Sequence, residues 1–321
     1  MPAEAATALI VAGPTASGKS ALALAISQRL GGTIINADSM QVYRELRILT
    51  ARPTTHEEAL APHALYGVRP VAEPGNAGWW RAAALAAMQA ARQSGRLPIL
   101  CGGTGLYLAA LTEGLAEIPE PGPQARAEAR TLLAELGPQA LHERLAVVDH
   151  DTASRLRPTD AQRIARAWEV WRGTGRGLAA WQAEPGVRPT GWHFAAILLA
   201  PPRAALRAAI AARFETMLAA GALVEVRALL ALGLDLSLPA MRAQGVPELA
   251  AHLGGELSLA VAAERAVLAT GRYAKRQATW FRHHKLAPHG RTHTIHARIA
   301  DAEQFSERNL AEIFDFIRFA G

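Results

Sequence analysis

The sequence is poor in cysteine and has no long apolar run. Its 321 residues include a single cysteine, Cys101, which excludes a disulfide framework and any multi-cysteine zinc or iron–sulfur site. The longest apolar run, Phe194 to Ala200, is far shorter than the roughly 18 residues that a membrane-spanning helix needs. No Lys or Arg precedes Lys19, so the basic start of a signal peptide is missing. We therefore expect a cytoplasmic protein with no membrane partner.

Lysine is also scarce, because arginine supplies nearly every cation. Of the 34 basic residues, only Lys19, Lys275 and Lys285 are lysines. The charge is uneven: residues 1–150 contain 12 basic and 13 acidic residues, whereas residues 151–321 contain 22 basic and 15 acidic ones. A basic second half favours a large anionic partner such as nucleic acid. A solubilising surface would have the same composition.

Apolar strand-like runs alternate with helical stretches in the first third of the chain. Residues 7–12, 33–36 and 97–101 predict buried strands, and a helical pattern follows each of the first and third. This alternation is typical of an α/β domain with a parallel sheet. The length of the chain fits one large or two small domains.

The remainder of the chain contains a helical block between two linkers rich in Pro and Gly, at residues 119–123 and 185–189. A strand at residues 193–200 follows, then mostly helix to His283, a short strand at residues 292–296 and a final helix. We therefore predict a P-loop NTPase-like α/β core with a parallel sheet flanked by helices, made of residues 1–114 and 191–321. An inserted all-helical domain occupies residues 115–190.

The run from Gly13 to Ser20, Gly-Pro-Thr-Ala-Ser-Gly-Lys-Ser, matches the phosphate-binding pattern G-x-x-x-x-G-K-[ST] in full. Glycines let the backbone approach a phosphate and point successive N–H groups at it. The helix that follows adds its positive N-terminal end. Lys19 supplies a point charge, and Ser20 can ligate Mg²⁺. A glycine-rich strand–helix turn without a ligand is the alternative.

Two further predicted strands end in polar or glycine-rich runs. Asp38 follows the strand at residues 33–36, and Gly102-Gly103-Thr104-Gly105 follows the strand at residues 97–101. Because the carboxyl ends of parallel strands share one edge of a sheet, both runs should lie beside the phosphate loop. Asp38 alone could ligate a metal, do other chemistry or cap a helix, and the second run could be only a tight turn.

Arg213 lies on the apolar face of a predicted helix. It continues the spacing of Leu206, Ile210 and Met217. A cation on such a face needs an anion or must reach water. A phosphate at the predicted site would serve, and so would an ordinary salt bridge.

Together these motifs resemble one family, the bacterial tRNA dimethylallyltransferases, also called tRNA isopentenyltransferases. The resemblance covers roughly residues 7–285, and six blocks in order are far more specific than the phosphate loop alone. The blocks are Gly13-Pro-Thr-Ala-Ser-Gly-Lys-Ser20, Ile35-Asn-Ala-Asp-Ser-Met-Gln-Val-Tyr43, Gly102-Gly-Thr-Gly-Leu-Tyr107, Asp160-Ala-Gln-Arg-Ile-Ala-Arg166, Pro239-Ala-Met-Arg-Ala243 with Gly245, and Tyr273-Ala-Lys-Arg-Gln277 with Thr279-Trp-Phe281.

The resemblance implies transfer of the dimethylallyl group of dimethylallyl diphosphate to N6 of the adenosine at tRNA position 37, next to the anticodon. It implies Mg²⁺ as cofactor and the anticodon stem-loop of tRNA as partner, and we expect a monomer. The inserted helical domain resembles the family's small domain, which closes on the tRNA. P-loop ATPases normally hold Mg²⁺ with an Asp at the end of another apolar strand, whereas here the strand at residues 97–101 ends in Gly102-Gly103. A diphosphate in place of ATP would account for the missing carboxylate.

The resemblance also implies roles for individual residues. Asp38 corresponds to the general base, Thr104 to a contact with the target nucleotide and Arg213 to a diphosphate ligand, and Lys19 completes the implied catalytic set. The implied diphosphate site consists of Gly13, Pro14, Thr15, Ala16, Ser17, Gly18, Lys19, Ser20 and Arg213, with Ser20 as the metal ligand. The implied tRNA contacts are Asp38, Ser39, Met40, Gln41, Thr104, Arg126, Gln162, Arg163, Ile164, Ala165, Arg166, Arg242, Ala243, Gln244, Gly245 and Arg276.

The sequence departs from the family pattern at two places. Where the family usually has Asp-Ile-Gly-Thr-Ala-Lys-Pro, this chain has Arg47-Ile-Leu-Thr-Ala-Arg-Pro53, with Leu49 in place of glycine. After Gly245 the family commonly has Tyr, and here Val246-Pro247 follows. Two other functions are compatible with a phosphate loop: a small-molecule kinase and a non-catalytic RNA-binding nucleotide switch.

Overall fold

The structure, a computed structural model, describes residues 5–300 and 312–317. Within these residues, the strands form one parallel sheet in the order β3-β2-β4-β1-β5-β6. The parallel α/β core predicted from the sequence is confirmed. The strands are β1 (Ala6–Ala12), β2 (Gly32–Asn36), β3 (His63–Ala64), β4 (Leu97–Gly102), β5 (Trp192–Leu199) and β6 (Thr292–Ile295).

The central strand β1 is buried on both faces, as its continuous apolar sequence requires. Leu9 and Val11 pack in one apolar cluster with Leu22, whereas Ile10 packs in another with Trp80. Helices therefore cover both sides of the sheet. The helices between the first four strands and just after β4 are α1 (Lys19–Leu30), α2 (Thr55–Leu60), α3 (Ala77–Gln93) and α4 (Gly105–Thr112).

Residues Glu113–Arg188 form a separate compact helical unit, compared with the predicted range 115–190. Its longest helix bends at Gly137, which has a φ of 74° and precedes Pro138. Leu141, Ile164 and Trp168 belong to the apolar core of this unit. Its helices are α5 (Gly122–Val148), α6 (His150–Ala153), α7 (Ala161–Thr174) and α8 (Leu178–Gln182).

The helices after β5 pack against residues 40–51 and form a further apolar cluster with them. Leu46 and Leu49 share one cluster with Phe214, Val226 and Leu249. This cluster is important for function because it holds the segment that follows β2 beside the sheet edge. Its helices are α9 (Arg203–Ala219), α10 (Ala222–Ala231), α11 (Val246–Leu253) and α12 (Leu259–His283), with 3₁₀ turns at Pro239–Arg242 and His289–Arg291.

Two short elements, α2 and β3, were not predicted, because a two-residue strand shows no periodicity. Helix α3 begins at Ala77, since the Asn76 side chain caps it by accepting from the Trp79 N–H. The predicted final helix includes the helical residues 312–317, and its other residues lie outside the described part of the chain. No helix in the described part is long and apolar enough to cross a membrane.

Candidate active site

Three loops meet at one edge of the sheet because the strands that precede them are neighbours. The order β2-β4-β1 places the segments after Asn36, Gly102 and Ala12 side by side at the carboxyl ends of parallel strands. These segments carry Asp38, Thr104 and the phosphate loop. The convergence expected from the sequence is thus present in the fold.

The phosphate loop presents unpaired donors. The backbone N–H groups of Ala16, Gly18, Lys19 and Ser20 make no hydrogen bond to another described residue. Two of these belong to the first turn of α1, where no intrahelical partner exists. The Ser17 hydroxyl is buried in the same loop and also has no partner in the described structure. The loop is therefore arranged to bind an anion.

Lys19 adds a cation to this loop. Its side chain forms no ion pair or hydrogen bond with another described residue, and burial lowers the pKa of its ammonium group. Cys101 and Asp38 oppose that shift, but burial raises the pKa of the Cys101 thiol to about 11, so the thiol is neutral near pH 7. The positive charge of Lys19 is therefore available to neutralise a bound anion.

Arg213 reaches the same loop from helix α9. Leu206, Ile210 and Met217, which share its face of the helix, are buried, as the helical spacing predicts. The guanidinium donates to Thr15 Oγ1 at 2.7 Å, and burial lowers the pKa of Arg213. No ion pair accompanies it among the described residues. The salt-bridge alternative therefore receives no support, and the cation lies where a bound phosphate would neutralise it.

Asp38 is held by a local turn. Its backbone N–H donates to Asn36 Oδ1 at 2.8 Å, and its Oδ1 accepts from the Met40 N–H at 2.9 Å. The Asn36 amide in turn donates to the carbonyls of Asp38 and Leu65. Asp38 Oδ2 has no hydrogen-bond partner in the described residues, so one carboxylate oxygen is fixed and the other is available.

Thr104 is hydrogen-bonded to the loop that carries Asp38. Its Oγ1 accepts from the Ser39 N–H at 2.9 Å and donates to Ser39 Oγ at 3.3 Å, while its own N–H donates to the Ala37 carbonyl. The glycines around it are required by close contacts. A Cβ at Gly102 would lie 2.1 Å from the Ala37 carbonyl oxygen, and one at Gly105 would overlap the Trp280 ring.

Gln277 was missed as a site residue, although it lies in one of the six blocks. Its Oε1 accepts from the Thr15 N–H at 2.8 Å, and its Nε2 donates to the Gly103 carbonyl at 2.8 Å. One buried amide on helix α12 thus joins the phosphate loop to the turn that carries Thr104. Arg298 supports the loop from the other side, since its Nε donates to the Ala16 carbonyl.

A cavity of about 150 Å³ opens between the phosphate loop and the helices after β5. Thr15, Asp38 and Arg213 line its polar side. Tyr273, a second residue that sequence analysis missed, also lines it, and burial and the charge of Asp38 raise the pKa of its phenol. Its apolar side consists of Leu49, Ile210, Phe214 and Met217.

Several residues assigned to tRNA contact lie at the mouth of this cavity. Arg242, Ala243 and Gln244 line both it and an adjoining, more open cavity that is also lined by Arg272 and Arg276. The three arginines are exposed, whereas Ala243 and Gly245 are buried. Ser39, Met40 and Gln41 follow Asp38, and the Gln41 amide donates to the carbonyls of Thr50 and Ala51.

The remaining assigned residues lie in the helical unit. Gln162 and Arg163 are exposed, but Ile164 and Ala165 face the core of the unit. Arg166 pairs with Glu169 at 3.2 Å. Arg126 pairs with Glu120. Because Ile164 and Ala165 are buried in this core, contacts of their side chains with tRNA are not favoured.

Comparison with known proteins decides the family. A family model described as IPP transferase matches residues 41–284, and one described as Isopentenyl transferase matches residues 6–66. The chain belongs to the IPP transferase family. The family predicted from the six blocks is confirmed.

Two relatives match this chain over nearly their whole length. A tRNA dimethylallyltransferase of Granulibacter bethesdensis is 62% identical, over 97% of this chain and 98% of its own. One from Acidiphilium cryptum is 61% identical, over 97% and 95%.

Solved structures agree with the fold. The crystal structure of a full-length tRNA isopentenylpyrophosphate transferase from Bacillus halodurans is similar with a TM-score of 0.68 and 29% identity, over 99% of this chain and 97% of that one. A eukaryotic dimethylallyltransferase acting on tRNA has a TM-score of 0.78 and 25% identity, over 98% and 80%. The P-loop NTPase-like fold is thereby confirmed.

Proposed function

We propose that this chain transfers the dimethylallyl group of dimethylallyl diphosphate to N6 of the adenosine beside the anticodon of tRNA. One observation supports this most directly. A loop of unpaired N–H groups with Lys19 and Arg213 adjoins a cavity that is also lined by Asp38, whose Oδ2 has no partner among the described residues. An anion-binding site and a proton acceptor on one cavity suit a transfer in which diphosphate leaves and an amine attacks.

The diphosphate would bind in the phosphate loop. The N–H groups of Ala16 to Ser20, other than that of Ser17, can donate to its oxygens, and Lys19 and Arg213 contribute two positive charges. As the carbon–oxygen bond of the donor breaks, negative charge grows on the leaving diphosphate. Fixed donors placed at that charge stabilise the transition state more than the ground state.

Asp38 would act as the general base. The N6 lone pair of adenine is delocalised into the ring, so the amine is a weak nucleophile. As the new carbon–nitrogen bond forms, N6 must lose a proton, and Asp38 Oδ2 can accept it. The hydrogen bond from the Met40 N–H to Oδ1 orients the carboxylate for this transfer.

We include Mg²⁺ in this proposal as a cation held mainly by the substrate. The described residues contain no cluster of three or more His, Cys, Asp or Glu side chains that could hold a metal. Ser20 at the start of α1 offers a hydroxyl, which fits a Mg²⁺ that keeps most of its ligands as diphosphate oxygens and water. When bound, the cation would offset the charge of the diphosphate.

The tRNA would approach the cavity mouth at Arg242, Arg272 and Arg276. The target adenine must leave its stack to reach a cavity of this size. Arginine and aromatic side chains can support the unstacked nucleotides of a loop. A monomeric state and a cytoplasmic location, both predicted from the sequence, remain predictions.

A direct assay tests the function. The protein is incubated with dimethylallyl diphosphate, Mg²⁺ and unmodified tRNA, and the nucleosides are analysed by mass. We expect dimethylallyl adenosine and release of inorganic diphosphate. Folded protein that forms no such product would contradict the proposal, and phosphorylation by ATP in a parallel reaction would favour the kinase alternative.

A further inference from the structure

The apolar side of the cavity is built in part by the segment between β2 and α2. Leu49 lies in this segment, within the run Arg47–Pro53. It lines the cavity together with Phe214, Ile210 and Met217, and only 7% of its surface is exposed. Its side chain therefore occupies space that a glycine would leave open.

The end of the Leu49 side chain lies close to Gly245 and Phe214. A Cβ at position 245 would lie 3.0 Å from Leu49 Cδ2 and 3.1 Å from Phe214 Cε2, so both side chains lie directly over Gly245. The ends of Leu49 and Phe214 thus lie over the backbone of Gly245, the residue that precedes α11. Because protein interiors are densely packed, the buried Leu49 side chain has little room to move towards α11.

The backbone of Leu49 is fixed as well. Glu225 of helix α10 accepts three successive N–H groups: Oε1 from Arg47 at 2.6 Å and Ile48 at 2.7 Å, and Oε2 from Leu49 at 2.9 Å. Thr50 Oγ1 donates to the Leu46 carbonyl at 2.6 Å. Hydrogen bonds to a carboxylate are strong, so the backbone of this segment is held in place beside the cavity.

The cavity leaves limited room for the prenyl chain. Its volume is about 150 Å³, and in the proposed function the target adenine also enters it. A ten-carbon geranyl group has twice as many carbons as a dimethylallyl group, so an apolar side chain that occupies part of this space restricts it more strongly.

We propose that Leu49 determines the length of the prenyl group that this enzyme accepts, by closing the apolar end of the donor cavity. This inference rests on the proposed function, because it places the diphosphate in the phosphate loop and the prenyl chain in the adjoining cavity. It adds a specificity-determining residue that does not touch the reacting atoms.

The test compares dimethylallyl and geranyl diphosphate as donors to unmodified tRNA. The quantity compared is kcat/KM for geranyl diphosphate divided by kcat/KM for dimethylallyl diphosphate. In Leu49→Ala this ratio should be at least about tenfold higher than in the unsubstituted protein, because the substitution removes three carbons from the cavity lining. Leu46→Ala is the matched control, because Leu46 is buried in the same cluster but does not line the cavity. Its ratio should stay within about twofold.

A second variant tests the inference if Leu49→Ala does not fold. Leu49→Phe narrows the cavity, so KM for dimethylallyl diphosphate should rise about tenfold, while inhibition by inorganic diphosphate, which lacks the chain, should stay unchanged. An unaltered donor ratio in folded Leu49→Ala, or equal losses for dimethylallyl and inorganic diphosphate in Leu49→Phe, would overturn the inference. If the unmodified protein transferred no dimethylallyl group, the proposed function itself would fail.

Discussion

At the scale of single residues, the two carboxylate oxygens of Asp38 differ in their hydrogen bonding. Oδ1 is engaged by the Met40 N–H, whereas Oδ2 has no hydrogen-bond partner among the described residues, and the residue lines the cavity. The motif predicts that Asp38 is at the site, but which oxygen is free depends on the turn made by Asn36 and Met40. Sequence spacing does not specify that turn.

We expect Asp38→Asn to lower kcat for prenyl transfer by about 10²- to 10⁴-fold, because an amide has the same shape but cannot accept the N6 proton. The dissociation constant for tRNA should change by less than about threefold, since binding depends mainly on phosphate contacts. Single-turnover kinetics and a filter-binding assay measure the two quantities. Turnover close to that of the unmodified protein would show that Asp38 is not the base.

At the scale of elements, helix α12 holds two strand-end loops together through one amide. Gln277 is 5% exposed and bonds both Thr15 and Gly103. Removing a buried partner leaves each backbone group unsatisfied at a cost of about 1–3 kcal/mol. The phosphate loop and the loop that carries Thr104 are therefore coupled through one buried residue.

We expect Gln277→Ala to raise KM for dimethylallyl diphosphate about tenfold or more, with a smaller change in KM for tRNA, because the phosphate loop loses its support. Glu264→Ala, an exposed substitution on the same helix, serves as the control. Steady-state kinetics with each substrate varied in turn provide the comparison. A variant that lost only thermal stability, with both KM values unchanged, would assign Gln277 a purely structural role.

These elements also show what the sequence could predict. The phosphate loop, Asp38 and Thr104 follow strands recognisable from local pattern, and parallel strand ends share an edge, so their convergence could be predicted. Gln277 could not be assigned, because its contact with Thr15 joins positions 262 residues apart. Arg213 is intermediate: helical spacing marked it as unusual, but its partner Thr15 became known only from the fold.

At the scale of the whole molecule, the basic half of the chain supplies an exposed arginine cluster at the cavity mouth. Arg242, Arg272 and Arg276 line the open cavity there, with Glu248 as an acidic neighbour. The excess of basic residues in the second half of the chain could be predicted from the sequence, but the position of the arginine cluster in the fold could not. Three arginines from two elements, a 3₁₀ turn and α12, meet only because the helices after β5 pack as they do.

We expect tRNA affinity to fall steeply as salt is added, because phosphate contacts release counterions. Replacing one of these three arginines by glutamine should weaken tRNA binding and reduce the slope of log K against log salt by about one. Arg29→Gln is the control, since Arg29 lies in the last turn of α1, which runs away from the site edge. A flat salt response would contradict this surface as the tRNA site.

The support that Gln277 gives to the phosphate loop has a consequence for biosynthesis. The loop leaves the ribosome well before its hydrogen-bond partner Gln277, which lies 262 positions after Thr15. The central strand β1 likewise can pair with its neighbour β5 only after β5 has been synthesised. Since domains fold as units during synthesis, the nascent chain carries a complete phosphate-binding motif long before it has an assembled substrate site.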